Sequence, residues 1–418
     1  MMSVLSGRLV SSFVLLGLLI RLLLMPISLH VDPRFIGDIA TFPHAVQVWN
    51  SPERANHNFL YPPLTYHTLS AYLLGLAGHF TRDLWDAPIS GTEARSDWLN
   101  SPFVFRNLFI LKVWYLLPDL GIAFLLWRVL RGHPARAGRG VAVWALNPLV
   151  LYTAYFHGQF DLIPVFFVML GLFCAKKEKP LWAAFWLGIG ACYKNFPFAF
   201  LLPLVLILDK TWRGRLKLIL AGTVPYILFL LPNLQSYAKI GGHFEGYFFK
   251  AGYDLGSGAQ VYFFFLFYAG LLWYLYQCRA HSFEDFWRAC WAILLSYFQF
   301  SYFDLHYWVW LAPFAALYLV EYPREARPFF VVVGLCLLVL LAPTPLARFL
   351  APISPRLFLR LPSLIEALNP YLPMLFIINV VRSLLAGTCF YLAWKLVRGM
   401  PAAPGKVQQT IPEQNITA

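Results

Sequence analysis

The feature that most constrains this chain is a series of long apolar segments separated by short clusters of charge. A helix needs roughly 20 apolar residues to cross the hydrocarbon core of a bilayer. Segments at or somewhat below that length cover 9–29, 104–130, 218–233, 260–277, 286–302, 307–320, 328–342 and 371–396. Such segments can only be helices in a membrane, because lipid offers no partner to an unpaired backbone group.

The stretch 141–208 is also apolar, but it is interrupted at 157–159, at 176–180 and at 193–197. We interpret it as four short helices, some of about 11 to 16 residues where about 20 are needed. Irregular backbone at that depth is tolerated only around a protein-filled or water-filled cavity. The sequence therefore predicts an all-α polytopic membrane protein with about twelve transmembrane helices, some of them half-spanning, around a polar cavity.

The composition agrees, with 59% hydrophobic and 13% charged residues, where a soluble protein has about 25% charged residues. The net charge of +13 comes from Lys and Arg in short clusters between apolar segments, not from one basic domain. That distribution is typical of membrane orientation and argues against a nucleic-acid partner. The six cysteines have no metal-binding spacing, which predicts reduced thiols.

Twelve spans would place the basic clusters 128–139, 176–179 and 210–217, the arginines of 279–327 and the tail after 395 on one side. The positive-inside rule makes that side cytoplasmic. The outer side then receives the loops 30–100 and 343–370 and the breaks near 157, 194 and 304. We expect a single transmembrane domain over 1–399 with a retained first helix, followed by a disordered cytoplasmic tail over 400–418.

Asp38 is the leading catalytic candidate. It lies in Gly37-Asp38-Ile39, closely after the first apolar segment. Phe42, Val46 and Trp49 follow at helical spacing, which predicts a helix on the outer membrane surface with Asp38 at its start. An ordinary helix N-cap is the alternative role. Asp32, which precedes Pro33, is a second candidate carboxylate.

Two further outer-side features follow along the chain. Tyr61-Pro62-Pro63 predicts a rigid turn, because each proline fixes its own φ and restricts the residue before it. A stiff turn there would hold the first outer loop over the cavity, before the next apolar helix, 65–79, which contains His67. A purely structural turn is the alternative.

Lys194 interrupts an otherwise apolar run over 181–208. A cation at that depth needs an anionic partner, either a carboxylate such as Asp161 or the phosphate of a bound lipid. Snorkelling to the surface is the alternative. His157, Gln159 and Asp161 lie together at the top of a short helix pair, where a capped turn is the other interpretation.

The late part of the chain repeats this pattern. Asp304 and His306 stand at another helix start, where a helix cap is again the alternative. The outer loop 343–370 has three arginines against Glu366 alone, which opposes the positive-inside bias; these arginines are Arg348, Arg356 and Arg360. Either they meet phosphate or the topology differs there. Within 104–130, Lys112 and Asp119 share a helix face, which predicts an ion pair or an inter-helix contact.

These motifs in this order resemble the GT-C integral membrane glycosyltransferases. The matching sequences are GD before a helix, YPPLTYH, HGQF, CYKNFPFAFLLP and FDLHYWVWLAPF. The resemblance covers roughly residues 10–320 and is strongest to dolichyl-phosphate-glucose glucosyltransferases and their bacterial polyprenyl-phosphate-sugar relatives. Gln159 and Asp161 depart from that pattern, which leaves the sugar and the acceptor open.

The resemblance implies a hexose, glucose or mannose, carried on polyprenyl phosphate, and an acceptor that is a lipid-linked or cell-envelope glycan. It also implies that Asp38 is the catalytic base. The positions it places around the donor are Tyr61, Pro62, Pro63, His157, Lys194 and His306. To donor binding we add Gln159, Arg348, Arg356 and Arg360, and to substrate positioning His67, Asp161 and Asp304.

The reaction expected from these groups is a single inverting displacement, in which Asp38 takes the proton of the acceptor hydroxyl. Lys194, with an arginine of 343–370, would stabilise the leaving phosphate, so no metal is required; a divalent ion held by Asp38 and Asp161 is the alternative. A transporter or flippase of lipid-linked sugars is the alternative function. We expect a bacterial inner membrane with the site facing the periplasm, or the endoplasmic reticulum in a eukaryote.

Overall fold

The structure of the chain is a computed structural model. It describes residues 2–28, 31–32, 35–36, 102–132, 134–231, 252–256, 259–277, 282–301, 305–323, 330–331, 334–335, 337 and 346–400. The disordered tail expected over 400–418 lies almost entirely outside these residues, as does most of the apolar segment 328–342.

The described chain is mostly helical, as the apolar segments predict. Its α-helices of four residues or more, in chain order, are α1 Met2–Ile27, α2 Val104–Val113, α3 Leu116–Leu130, α4 Pro134–Ala145, α5 Leu162–Lys176, α6 Pro180–Ala191, α7 Leu201–Leu208, α8 Trp212–Leu230, α9 Phe263–Gln277, α10 Phe283–Phe300, α11 Ala312–Glu321, α12 Pro355–Phe358, α13 Leu364–Leu368 and α14 Met374–Arg398. A π-helix spans Leu151–His157, and 3-10 helices span Phe196–Phe200, Leu305–Trp310 and Leu346–Leu350.

Two short antiparallel ribbons were not predicted from the sequence. β1 Val31–Asp32 pairs with β2 Phe35–Ile36, and β3 Gly252–Gly256 pairs with β4 Ala259–Tyr262. Both occur where the chain leaves or enters an apolar helix, α1 in the first case and α9 in the second. The predicted helical architecture is therefore right for the described segments and incomplete at two of the connections.

Two helical stretches, Val104–Leu130 and Met374–Arg398, have the length and the apolar composition to cross a membrane. The other apolar helices are shorter, as expected for 141–208. Large apolar side chains nevertheless point outward along several helices, for example Leu15, Leu228, Leu266 and Phe376. An exposed surface with so many large apolar side chains indicates contact with lipid.

The basic clusters meet at one end of the helix bundle. Lys176 at the end of α5 donates to the Val129 carbonyl of α3 at 2.5 Å, and its ammonium lies 5.3 Å from the Phe283 ring of α10. Arg288 of α10 donates to the Gly399 carbonyl beyond α14 at 3.2 Å. We call this the basic end, defined by Arg128, Lys176, Arg215, Arg288 and Arg398. For these five residues, the arrangement is the one that the single-sided distribution predicts; Arg279, Arg324 and Arg327 lie outside the described residues.

Helices α6 and α8 approach each other through glycine. A Cβ atom built on Gly188 would overlap the backbone carbonyl of Gly222, a residue that itself faces the Ala184 carbonyl and Leu201. Small residues let helix backbones come this close, which is a common way to pack helices in a membrane.

Gly188→Ala is therefore expected to lower the free energy of unfolding by about 1–3 kcal/mol, the usual cost of overpacking. The matched control is Gly270→Ala in α9, where a new Cβ meets nothing within 4 Å. That change should be neutral or stabilising by up to about 1 kcal/mol. Thermal unfolding of the purified variants in one detergent compares them, and an equal melting temperature for both would contradict the close approach.

Candidate functional site

The break His157-Gly158-Gln159 is the end of the π-helix. Asn147 starts this stretch by accepting a hydrogen bond from the Leu149 amide at 2.9 Å. Gly158 ends it in the left-handed region, at φ 86°. The Gln159 amide then donates back to the Thr153 carbonyl at 2.8 Å, which holds the turn closed. π-helical turns are rare and frequently occur at functional sites.

Three distant parts of the sequence meet at His157. Its ring stacks on His306 with centroids 5.3 Å apart and lies 5.5 Å from Phe349. The Thr153 hydroxyl donates to the His306 carbonyl at 3.3 Å, which fixes the 3-10 helix Leu305–Trp310 to the π-helix. All three rings are largely buried, and we call them the His157 cluster. The structure thus brings together two predicted site residues and the late loop.

The start of the first loop reaches the same place. β1 lies against the 3-10 helix Leu346–Leu350, which includes Phe349. Ser28, the residue after α1, donates from its hydroxyl to the Tyr155 carbonyl at 3.0 Å. The chain therefore enters the 30–100 loop beside the His157 cluster. This end of the bundle, opposite the basic end, is called the site end below.

Lys194 is paired with a carboxylate, one of the two anionic partners that the sequence predicted for it. Its ammonium donates to the two Asp161 oxygens at 2.7 and 2.9 Å, and both side chains are buried. Asp161 occupies the N-cap position of α5, yet its side chain makes no capping hydrogen bond. The ion-pair interpretation of Asp161 is therefore right, and neither the capped turn nor snorkelling of Lys194 describes the structure.

Aromatic rings surround this ion pair. The Trp310 indole donates to Asp161 Oδ1 at 2.6 Å and stacks on Phe196 with centroids 4.2 Å apart. The Lys194 ammonium lies 4.5 Å from the centre of the Tyr307 ring, in cation–π range. Sequence reasoning missed Trp310 and Tyr307, although both lie in the motif FDLHYWVWLAPF. A buried carboxylate needs more than one hydrogen-bond donor, and this requirement could have pointed to a further donor, such as an indole, near Asp161.

A second buried charged cluster lies deeper, where α1, α3, α4 and the π-helix meet. Arg21 pairs with Asp119: its Nε donates to Asp119 Oδ2 at 2.5 Å, and its Nη2 donates to Asp119 Oδ1 at 3.3 Å. Asp119 also accepts from the Trp144 indole at 2.7 Å and from the Tyr155 hydroxyl at 2.6 Å. We call Arg21, Asp119, Trp144 and Tyr155 the Asp119 cluster. Tyr155 lies two residues before His157, so the cluster holds the helix that carries that ring.

Lys112 does not pair with Asp119, which corrects one of the two interpretations of these residues. Its ammonium donates to the Ser28 carbonyl and, at 2.8 Å, to the Tyr155 carbonyl. Both carbonyls lie at the carboxyl ends of helices, where the dipole favours a cation. The alternative of an inter-helix contact is the one that the structure shows.

The three arginines of the late loop have different surroundings. Arg348 precedes Phe349, and its buried Nε has no hydrogen-bond partner among the described residues. Hydrogen bonds from Ser363 hold the pKa of Glu366 below its ordinary value, and the nearby charge of Arg348 contributes to that effect. Arg356 and Arg360 are exposed. Arg348 alone of the three is adjacent in sequence to the His157 cluster.

Several predicted site residues lie outside the described residues, namely Asp38, Tyr61, Pro62, Pro63, His67 and Asp304. Only the backbone of Asp32 is described, in β1. Gln159 is buried next to Gly158. Within the described part of the chain, no three His, Cys, Asp or Glu side chains are grouped as a metal site would require.

Comparison with known proteins gives one family. The model of glycosyltransferase family 87 matches residues 98–343, which is more than half of the chain. The matched range contains the π-helix, the Lys194–Asp161 pair and the 3-10 helix with His306 and Trp310. No solved structure matches the chain.

Proposed function

Because the chain belongs to glycosyltransferase family 87, a family of GT-C-type membrane glycosyltransferases, we propose that it transfers glucose or mannose from polyprenyl phosphate to a glycan acceptor. The acceptor in this proposal is a lipid-linked or cell-envelope glycan. The observation that carries the donor assignment is the His157 cluster, with Arg348 preceding its Phe349 in the chain, because imidazole and guanidinium groups are suited to phosphate.

The depth of the site supports a donor held in lipid. α5 has 15 residues and α6 has 12, so they rise about 22 and 18 Å where the hydrocarbon core is about 30 Å thick. With the basic end at one membrane surface, Asp161 and Lys194 are recessed on the order of 10 Å below the other. A lipid-linked sugar can reach such a recess from the bilayer.

We propose that the bundle has about twelve spans in one transmembrane domain, with the basic end in the cytoplasm. The site end then faces the periplasm of a bacterial inner membrane, or the lumen in a eukaryote. The position of Lys176 and Arg288 at one end of the described bundle supports this orientation.

In the proposed reaction, the acceptor hydroxyl oxygen forms a bond to the anomeric carbon while the bond from that carbon to the polyprenyl phosphate oxygen breaks. The configuration at the anomeric carbon inverts. Asp38 accepts the hydroxyl proton late, because a carboxylate with an ordinary pKa near 3.9 cannot generate an alkoxide in advance. The approach of the first loop to the 3-10 helix Leu346–Leu350 supports a position for Asp38 near the His157 cluster.

The leaving phosphate gains negative charge as its bond to the sugar breaks. We assign its stabilisation to His157, His306 and Arg348, with Gln159 beside them. Lys194 is not assigned to the leaving phosphate in this proposal, because Asp161 already balances its charge. The pair, held by Trp310, would orient the floor of the site through hydrogen bonds.

The leaving group is an anion that side-chain cations can stabilise, so we propose that transfer needs no divalent metal. Asp161 was one of the two ligands of the alternative metal site, and its oxygens accept from Lys194 and Trp310. We expect transfer in the presence of a chelator to equal transfer without it.

The experiment that tests this function is transfer by purified protein from synthetic polyprenyl-phosphate glucose and mannose, with Asp38→Asn as the variant. Loss of the base should reduce the transfer rate by about 10²–10⁴-fold. Donor binding should stay within about twofold of the native value, because Asn keeps the shape of Asp. Release of polyprenyl phosphate measures the rate, and the anomeric configuration of the product tests inversion.

Asp32→Asn is the matched control, a neighbouring carboxylate in the same loop. A large loss there with unchanged transfer in Asp38→Asn would move the base to Asp32. In proteoliposomes, movement of the intact donor across the bilayer without transfer would support the transporter instead. Transfer from nucleotide sugars but from no polyprenyl-phosphate donor would overturn the donor assignment.

A further inference from the structure

The segment between the His157 cluster and the last helix has features that the proposed reaction does not use. It begins after the 3-10 helix Leu346–Leu350, contains the short helices α12 and α13, and ends at Met374. Its charged residues are Arg356, Arg360 and Glu366, which leaves a net charge of +1 (two minus one).

The position of this segment is fixed at both of its ends. On one side, Phe349 stacks on Phe156 of the π-helix with centroids 4.9 Å apart. On the other side, α14 runs antiparallel to α10, since Gly399 beyond its last turn meets Arg288 near the start of α10. Met374 therefore lies at the site end, and the segment lies where a spanning helix leaves the hydrocarbon core.

Arg356 and Arg360 are the cations of this segment without a local acid. Both are exposed and they are four residues apart. Within the described part of the chain, the side chain of neither arginine forms an ion pair, a hydrogen bond or a ring contact. Glu366 accepts from the Ser363 amide at 2.7 Å in a capping box, and the charge close to it is that of Arg348.

Leucine side chains alternate with these cations. Leu357 is 55% exposed, Leu361 37% and Leu364 53%. Exposed leucines beside exposed arginines are the composition of a segment that lies in the membrane interface, with its leucines in the acyl region and its arginines among the headgroups.

We propose that residues 353–364 form a docking surface for anionic phospholipids in the leaflet at the site end, with Arg356 and Arg360 binding the lipid phosphate. Charge complementarity selects this occupant, because two unbalanced arginines at a membrane surface attract acidic headgroups. The exposed leucines make the surface continuous with the acyl chains. This separates Arg356 and Arg360 from the donor-binding set, in which only Arg348 adjoins the His157 cluster.

The test uses the full-length protein in nanodiscs with a fluorophore on Leu364→Cys. Wild-type protein taken through the same labelling reaction corrects for the native thiols. Quenching is measured with brominated phosphatidylglycerol and, at the same mole fraction, with brominated phosphatidylcholine. We expect phosphatidylglycerol to quench at least about twofold more than phosphatidylcholine, and salt near 1 M to abolish the difference.

Arg356→Gln with Arg360→Gln should remove this difference and leave quenching by phosphatidylcholine unchanged, since the leucines still hold the segment in the interface. Arg356→Lys with Arg360→Lys should keep it. Equal quenching by the two lipids in the unsubstituted arginine background overturns the proposal. Loss of the phosphatidylglycerol preference on adding saturating polyprenyl phosphate also overturns it, because the surface would then be a donor site. None of these readouts depends on transfer activity.

Discussion

Asp161→Ala is expected to lower the free energy of unfolding by about 3–5 kcal/mol, because it leaves a buried cation without its partner. The Lys194 ammonium donates to both oxygens of Asp161, and the Trp310 indole donates to the same carboxylate. The variant should also lose most of its transfer, since Phe160, Tyr307 and Trp310 all pack around this ammonium. Denaturant unfolding in one detergent measures the stability.

Two matched variants separate structure from function at this site. Asp161→Asn keeps one acceptor oxygen, for Trp310, but removes the charge and replaces the other oxygen by a donor, so its loss of stability should be smaller than that of alanine. The double variant Asp161→Leu with Lys194→Met replaces the ion pair with apolar groups and should recover most of the stability. Transfer should stay low in the double variant if the pair orients the site. Full transfer there would show that the pair is only structural.

Asp119→Ala is expected to have a similarly large effect, about 3–5 kcal/mol of unfolding free energy. Asp119 is the shared acceptor for Arg21, Trp144 and Tyr155, so its loss leaves three buried donors without it. The cluster lies below the π-helix, whose last residue is His157. A weakened π-helix should therefore raise the KM for the donor in addition to lowering the melting temperature.

Tyr155→Phe is the graded control for this prediction. It removes one hydrogen bond and keeps the ring, so it should cost about 1–3 kcal/mol. Asp285→Ala is the matched acid at the basic end, where Asp285 completes the capping box of α10 with Ser282. Its expected cost is about 0.5–2 kcal/mol, with an unchanged KM. A cost below 1 kcal/mol for Asp119→Ala would contradict a buried shared acceptor.

The breaks in the apolar pattern were the most informative part of the sequence. They located the ends of the short helices, with Lys179–Pro180 before α6 and Gly158 after the π-helix. They also predicted an anionic partner for Lys194, either a carboxylate or a lipid phosphate, because an uncompensated charge is costly in the hydrocarbon core. The sequence could not show that the turn before Gly158 is a π-helix, since that register depends on contacts of Tyr155 with other helices.

By itself, the sequence determined that the chain is a helical membrane protein, with short clusters of cations between its apolar segments and unusual polar groups at the breaks within them. Hydrophobic length and charge bias are local properties, so a single segment is enough to read them. Only the tertiary structure decided the partners. Arg21 and Asp119 are 98 residues apart, and Trp310 and Asp161 are 149 apart. Helix packing brings such pairs together. The sequence of one helix does not specify which donor on another helix will form a hydrogen bond with its buried carboxylate.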